Sequence, residues 1–154
     1  APAPLRDLSR VMRDQNRGEE FRAYCRQTLN EKPEATGLRL CYAGELMENR
    51  QPQEAAAELR IAVQKNPASG DARYQLGNTL RLLKRPDEAR AQFDEALRIN
   101  PRDIRVLQGL AILDVRENRF AAAAELLKRA VEIQPKSAQL KQELRKGLEK
   151  MKTN

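Results

Sequence analysis

The stretch that decides the fold runs from residue 70 to residue 101 and reads GDARYQLGNTLRLLKRPDEARAQFDEALRINP. Apolar residues recur in both halves of this stretch at the spacing of one helix face. They are Leu76, Leu80 and Leu83 in the first half, and Ala89, Phe93, Ala96 and Leu97 in the second. Pro86 stands between the halves, where it is tolerated in the first turn of a second helix. The stretch therefore predicts a helical hairpin.

The same pattern recurs along the chain at a fixed period. Four prolines stand at steps of 34 residues, namely Pro33, Pro67, Pro101 and Pro135. Small and large apolar residues align at the same step, namely Ala55, Ala89 and Ala123; Leu59, Phe93 and Leu127; and Ala62, Ala96 and Ala130. Ser69, Asp103 and Ser137 precede first helices and can cap them, whereas Ala35 cannot. Such a period indicates a solenoid, in which each unit is stabilised by stacking on the next.

Residues of the second unit resemble the signature of the tetratricopeptide repeat, a helix-turn-helix unit with this period. They are Leu76, Gly77, Leu80, Ala89, Phe93, Ala96 and Pro101. The resemblance implies an all-α fold, a right-handed α-solenoid of such hairpins. Departures from the signature are Arg73 and Asp114 at apolar or aromatic positions, Ala43 and Ala111 in place of the glycine, and Phe120 where Pro52 and Pro86 open other second helices. The last of these leaves the third hairpin turn open to a different geometry.

The period divides the chain into five segments. We expect tetratricopeptide repeats at 36–69, 70–103 and 104–137, preceded by a degenerate hairpin at 1–35 and followed by a basic capping helix at 138–154. In the degenerate hairpin, Phe21 and Cys25 occupy a small and a large core position, and Gly18 stands at the turn. In the capping helix, one apolar stripe is expected to face the core, namely Leu140, Leu144, Leu148 and Met151.

Composition argues against chemistry within this segment. The 154 residues contain no histidine, which removes the commonest general base and zinc ligand. No glycine-rich phosphate loop or paired-cysteine zinc motif occurs, and carboxylates fall at solvated helix positions. We therefore expect no enzyme activity, no metal and no cofactor. Cys25 and Cys41 fit small buried hydrophobes, although their spacing leaves a disulfide open.

The net charge of +7 is concentrated in residues 136–154, which hold six Lys or Arg and two Glu. No aromatic residues interleave with these charges, so we expect a solvated helix face and no nucleic-acid binding. No apolar run is long enough to enter a membrane, and we expect a soluble segment of the cytoplasm or the periplasm.

The resemblance implies that certain positions of each first helix line a concave groove that binds a partner. They are Leu40, Met47, Tyr74, Asn78, Arg81, Leu82, Arg105, Gln108, Ile112, Val115 and Arg116. The five apolar members are not needed for helix packing and would expose apolar surface, while the arginines can hold carboxylates. The alternative is that some are ordinary helix-surface residues, with Leu82 or Val115 packing against the neighbouring helix of the hairpin.

These observations predict a non-catalytic scaffold or adaptor that binds an apolar and acidic protein segment. The resemblance suggests bacterial secretion, pilus or exopolysaccharide assembly as settings. A clamp for a C-terminal carboxylate is disfavoured, because Asn78 alone matches its polar positions. Two alternatives remain open: a docking or regulatory module of a larger enzyme or membrane protein, and a scaffold that associates with copies of itself into a homo-oligomer.

Overall fold

A computed structural model describes residues 3–152, which form nine helices and no strand. The helices are α1 (Ala3–Asp14), α2 (Gly18–Glu31), α3 (Thr36–Glu48), α4 (Pro52–Lys65), α5 (Gly70–Leu82), α6 (Pro86–Ile99), α7 (Ile104–Arg116), α8 (Phe120–Ile133) and α9 (Ala138–Lys152). Each helix packs on the next, and α5 also contacts α7. The predicted all-α solenoid of helical hairpins is confirmed. Over the described range, no helix is both long and apolar enough to cross a bilayer.

The aligned apolar positions build the core. The three columns of aligned apolar residues are buried in every repeat, from Ala55 at 0% exposure to Leu127 at 5%. One continuous cluster extends from Phe21 in α2 to Leu113 in α7, and two smaller clusters lie between α7, α8 and α9. The core is therefore a ribbon between stacked helices, as the period predicts.

The Phe93 ring packs against the backbone of two glycines, Gly77 and Gly109, which belong to successive repeats. Its ring is fully buried, and a Cβ built on Gly77 of α5 or on Gly109 of α7 would approach ring atoms to 2.7 Å. Helix α6 can thus insert its largest side chain between two first helices only because both present bare backbone there. Gly77 is part of the repeat signature, whereas Gly109 lies two positions before the alanine that replaces the signature glycine.

The hairpin turns share one backbone geometry. Asn16, Arg50, Lys84 and Asn118 have φ between 58° and 60°, again at steps of 34 residues. At the turn of the repeat 70–103 the Lys84 N–H donates to the Arg81 carbonyl and the Arg85 N–H to the Leu80 carbonyl, at 3.2 and 2.9 Å. This is the Schellman arrangement that ends a helix through a left-handed residue. The turn at Asn118 has the same pattern, so the absence of a proline at the first position of α8 does not alter it.

The predicted caps are confirmed at three helices. The Ser69 hydroxyl accepts from the Ala72 N–H at 3.1 Å, the Asp103 carboxylate from the Arg105 N–H at 3.0 Å, and the Ser137 hydroxyl from the Leu140 N–H at 3.3 Å. Ala35, at the start of α3, has no capping side chain.

The two polar departures from the signature have protein partners. Arg73 donates to the Pro67 carbonyl at 3.0 Å and to the Gln92 side chain at 3.3 Å, so it ties α5 to the preceding loop and to α6. Asp114 is 3% exposed and accepts from Arg90 at 2.8 Å and from Arg119 at 2.9 Å. Two guanidinium groups thus compensate the charge of the buried Asp114 carboxylate, because an ionised group without a partner would be costly to bury.

The flanking segments differ from the prediction at one residue. Leu140 is buried and Leu144 is half-buried, but Leu148 is 42% exposed. The side chain of Met151, the last member of the expected stripe, lies outside the described residues. Cys25 and Cys41 are both buried, as expected of small hydrophobes. The exact segment boundaries stay a prediction.

Candidate functional site

Helices α5 and α7, which are the first helices of two successive hairpins, form a groove of about 710 Å³ together with α9. Eight of the eleven predicted residues line it, namely Tyr74, Asn78, Arg81, Arg105, Gln108, Ile112, Val115 and Arg116. They converge because α5 and α7 lie side by side and present equivalent positions to the same surface. The structure thus brings most of the predicted set together, and whether they bind a partner stays a prediction.

Three predicted residues lie elsewhere. Leu40 lines a separate, smaller cavity of about 310 Å³, while neither cavity includes Met47 or Leu82. Leu40 is 6% exposed and belongs to the core, and Met47 packs against that core. The expectation that Leu40 exposes apolar surface was therefore wrong, because its side chain is part of the core, whereas Met47 is half-buried. Leu82 is 50% exposed, at the end of α5.

Apolar residues of α7 line the middle of the groove. Ile112 is 42% exposed and points an aliphatic side chain at the open space, beside Ala111 and Gly109 of the same helix. Val115, also expected to be exposed, is half-buried and packs against the core cluster of α7 and α8. Ile112 is therefore the most exposed apolar side chain among the described residues that line the groove.

Arg105 is already engaged within the protein. It donates to Asp103 at 2.8 Å and to Asp71 at 3.0 Å, and its guanidinium carbon lies 4.6 Å from the centre of the Tyr74 ring. The hydrogen bonds with Asp103 raise the pKa of Arg105 above its ordinary value, against the opposing effect of burial. Arg105 therefore connects α5 to α7, and its charge is largely compensated.

Arg81 and Arg116 differ from Arg105 in this respect. Arg81 donates to the Asn78 amide oxygen at 2.7 and 3.2 Å, and among residues 3–152 no carboxylate forms an ion pair with either arginine. Burial, and then the positive charge of Arg116, lower the pKa of Arg81 below its ordinary value. Two like charges held together without an acid create a positive potential that favours an anionic group.

Helix α9 supplies a wall of the groove that the sequence prediction missed. Its lining residues are Gln139, Glu143, Lys146, Gly147 and Lys150. Glu143 accepts from Gln108 of α7 at 2.9 Å and from Gln139 at 3.0 Å, which fixes α9 against the groove. The period of 34 residues could have predicted this wall, because one step from Arg105, Ile112 and Arg116 leads to three of the five lining residues. They are Gln139, Lys146 and Lys150.

The smaller cavity borders a buried carboxylate. Glu45 of α3 is 2% exposed and accepts from the Ser9 hydroxyl of α1 at 2.6 Å. Arg13 of α1 and Arg22 of α2 each approach a Glu45 oxygen to 3.6 Å. These contacts join the first hairpin to α3, so the cluster has a structural role.

Comparison with known proteins identifies the family. Models of the tetratricopeptide repeat match residues 43–104 and 83–146, which together cover about two thirds of the chain. The uncharacterized protein y4yS of Sinorhizobium fredii is 33% identical over 90 residues, which are 58% of this chain and 50% of that protein. Tetratricopeptide repeat protein 7B of Homo sapiens is 33% identical over 82 residues, which are 53% of this chain and 10% of that protein. The chain thus spans half the length of one relative and a tenth of the other.

Solved structures support the same fold. The MamA protein superposes with a TM-score of 0.81 at 20% identity, covering 96% of this chain and 79% of that one. TTC0263, a thermophilic tetratricopeptide protein of Thermus thermophilus, gives 0.79 at 21% identity, covering 96% and 81%. Proteins with this repeat generally act as non-catalytic scaffolds for protein–protein interaction. The repeat matches and the hairpin array show that this chain belongs to the tetratricopeptide repeat family.

Proposed function

We propose that the chain is a non-catalytic scaffold that binds an apolar and acidic segment of a protein partner in the groove along α5, α7 and α9. The observation that carries this proposal is the Arg81–Arg116 pair, which has no acid partner among the described residues and stands beside the exposed side chain of Ile112. An apolar residue of the partner would cover Ile112, and an adjacent carboxylate would compensate the two arginines.

Three further points concern the cellular setting of the scaffold, whether it is part of a larger protein, and whether it associates with itself. Secretion, pilus or exopolysaccharide assembly is suggested by family resemblance alone. A docking module of a larger protein is favoured by one specific observation, since the chain spans only part of the relatives it matches. Self-association stays a prediction, and light scattering over a concentration series would detect it.

The test uses short fluorescent peptides and measures binding by anisotropy. One peptide combines leucine with glutamate, a second replaces glutamate by glutamine, and a third replaces leucine by serine. We expect the peptide with leucine and glutamate to bind most tightly. The Arg81→Gln/Arg116→Gln variant should bind this peptide about 5- to 30-fold more weakly, because each lost pair between an arginine and the glutamate contributes up to about 1 kcal/mol. Raising the salt concentration should reduce the difference, because the charges are partly solvated.

The matched control removes two arginines that lie outside the groove. Arg98→Gln/Arg102→Gln changes the net charge equally, and both residues are exposed and outside the groove. This variant should bind the acidic peptide nearly as well as the unaltered protein. Equal loss in the two double variants would show that net charge, and not the groove, attracts the peptide. Equal binding of the glutamate and glutamine peptides would contradict the proposal directly.

A further inference from the structure

Two guanidinium charges of the groove stay uncompensated side by side. Arg81 of α5 and Arg116 of α7 both line the groove, and no carboxylate among residues 3–152 forms an ion pair with either. Glu143 is the sole carboxylate among the described residues that line the groove, and it lies on α9 one turn before Lys146. Setting the charge of Glu143 against that of Lys146 still leaves both arginines. A ligand group with two negative charges matches this place best.

The Arg81 guanidinium is oriented before a ligand arrives. Its Nε and Nη2 atoms both donate to the Asn78 Oδ1 atom, at 3.2 and 2.7 Å. These bonds use one edge of the guanidinium, and the Nη1 atom, with two further donors, is not part of them. Burial, and then the charge of Arg116, lower the pKa of Arg81, because both disfavour its charged form. An anion bound between the two arginines would replace this repulsion by two attractions.

A phosphate monoester fits these donors better than a carboxylate does. A carboxylate has one charge and two oxygens, whereas a phosphorylated side chain carries a charge of about −1.5 to −2 at pH 7 and three acceptor oxygens. Its oxygens can accept from two forked guanidinium groups at the same time. The dianion would therefore compensate Arg81 and Arg116 together, while a carboxylate would leave one of the two positive charges in place.

We propose that the acidic residue of the partner segment is a phosphorylated serine or threonine, held between Arg81 and Arg116. This inference rests on the proposed function and specifies its acidic residue. Ile112 precedes Arg116 by four residues, so the two side chains share one face of α7 about 6 Å apart along its axis. In an extended segment, side chains two residues apart point to the same side and are about 6.6 Å apart. The apolar residue over Ile112 should therefore stand two residues from the phosphorylated one.

The experiment uses peptides with the core Leu-Ser-X-Ser-Leu, which places leucine two residues from X in both chain directions. X is phosphoserine, glutamate or serine, and fluorescence anisotropy measures binding to the unaltered protein. We expect the phosphoserine peptide to bind about 5-fold more tightly than the glutamate peptide, the gain from about one further exposed charge pair. The serine peptide should bind most weakly.

Two double variants show whether the groove arginines recognise the phosphate. Arg81→Gln/Arg116→Gln should bring the affinities of the phosphoserine and glutamate peptides to within about 2-fold of each other, because both guanidinium groups are lost. Arg98→Gln/Arg102→Gln is the matched control, since it removes the same charge from exposed positions outside the groove. This control should keep the preference for phosphoserine.

The pH dependence gives a second readout. The second pKa of phosphoserine is about 6, whereas the protein has no histidine and thus no side chain whose ordinary pKa lies between about 5.5 and 7.5. The charged groups that line the groove are Arg81 on α5, Arg105 and Arg116 on α7, and Glu143, Lys146 and Lys150 on α9. Raising the pH over this range makes the phosphate dianionic, so the phosphoserine peptide should bind about 2- to 4-fold more tightly. The affinity of the glutamate peptide should stay constant.

The outcomes separate this inference from the proposed function. If no peptide binds, both fail. If the glutamate peptide binds and the phosphoserine peptide binds no more tightly, the acidic groove stands and the phosphate inference is overturned. A phosphoserine preference that persists in Arg81→Gln/Arg116→Gln, or that does not change with pH, would also overturn it.

Competition with inorganic phosphate identifies the source of the phosphate group. We expect inorganic phosphate to displace the phosphoserine peptide only weakly, because it lacks the leucine that covers Ile112. Displacement by inorganic phosphate with the affinity of the peptide itself would show that the groove takes free phosphate, and the inference of a phosphorylated protein segment would be wrong.

Discussion

Gly77→Ala should destabilise the protein, although alanine is the better helix former. On helix propensity alone the substitution would gain about 1 kcal/mol in the interior of α5. The new Cβ, however, would lie 2.7 Å from two atoms of the Phe93 ring, which is 0% exposed. The ring has little room to shift, because the backbone of Gly109 is also close: a Cβ built there would approach a ring atom to 2.7 Å. Overpacking of this kind costs about 1–3 kcal/mol, and we expect this cost to exceed the propensity gain.

Gly44→Ala is the matched control. Gly44 lies inside α3, as Gly77 lies inside α5, but a Cβ there meets no atom within 4 Å. This variant should therefore show the propensity effect alone, a gain of about 0.5–1 kcal/mol in the free energy of unfolding. The difference in sign between the two variants isolates the contact with Phe93 from the general effect of replacing glycine.

Urea denaturation followed by helical circular dichroism measures both changes. We expect the midpoint to fall for Gly77→Ala and to rise for Gly44→Ala, with thermal midpoints moving about 2–4 °C per kcal/mol. In the Gly77→Ala background, Phe93→Leu should cost less than it does alone, because the smaller side chain relieves the clash. Two results together would refute the proposed clash with Phe93: a Gly77→Ala protein as stable as the unaltered chain, and free-energy changes of Gly77→Ala and Phe93→Leu that simply add in the double variant.

Three further predictions concern other sites. Lys84→Gly should raise the free energy of unfolding by about 0.5–1 kcal/mol in urea titrations, since Lys84 has a φ of 58°, while Asn118→Gly should gain less because asparagine tolerates this region. Asp114→Asn should lower that free energy by about 1–2 kcal/mol, as the buried side chain loses its charge-assisted bonds; an unchanged midpoint would contradict this. Burial raises the pKa of Cys25 to about 12, so the folded protein should resist alkylation by iodoacetamide at pH 8.5. Rapid labelling of Cys25 in mass spectra would contradict this. Because the thiol ionises more easily in the unfolded chain, the free energy of unfolding should be unaffected by this group below the ordinary pKa near 9 and should fall as the pH rises toward 12.

The period of 34 residues was sufficient to predict the helices, because burial in a solenoid repeats with the sequence. Ala55, Ala89 and Ala123 are buried for the same geometric reason, and any one of them predicts the others. The turn residues follow the same rule, although Arg50 and Lys84 gave no compositional sign of a left-handed backbone. The geometry there comes from the helix ending around the residue and not from the residue's own preference.

The groove was predicted less completely, because charge pairing does not repeat with the period. Arg81 and Arg105 were equivalent candidates for a carboxylate partner, and only the structure shows that Asp71 and Asp103 already compensate Arg105. Asp103 precedes Arg105 by two residues and Asp71 precedes it by one period of 34, but spacing alone does not show that either carboxylate reaches the guanidinium. What makes a groove arginine available to a ligand is therefore the absence of a neighbouring acid, which is a property of the packed surface. By this argument Arg81→Gln should weaken an acidic peptide more than Arg105→Gln does, and the opposite order would show that compensated arginines can still direct binding.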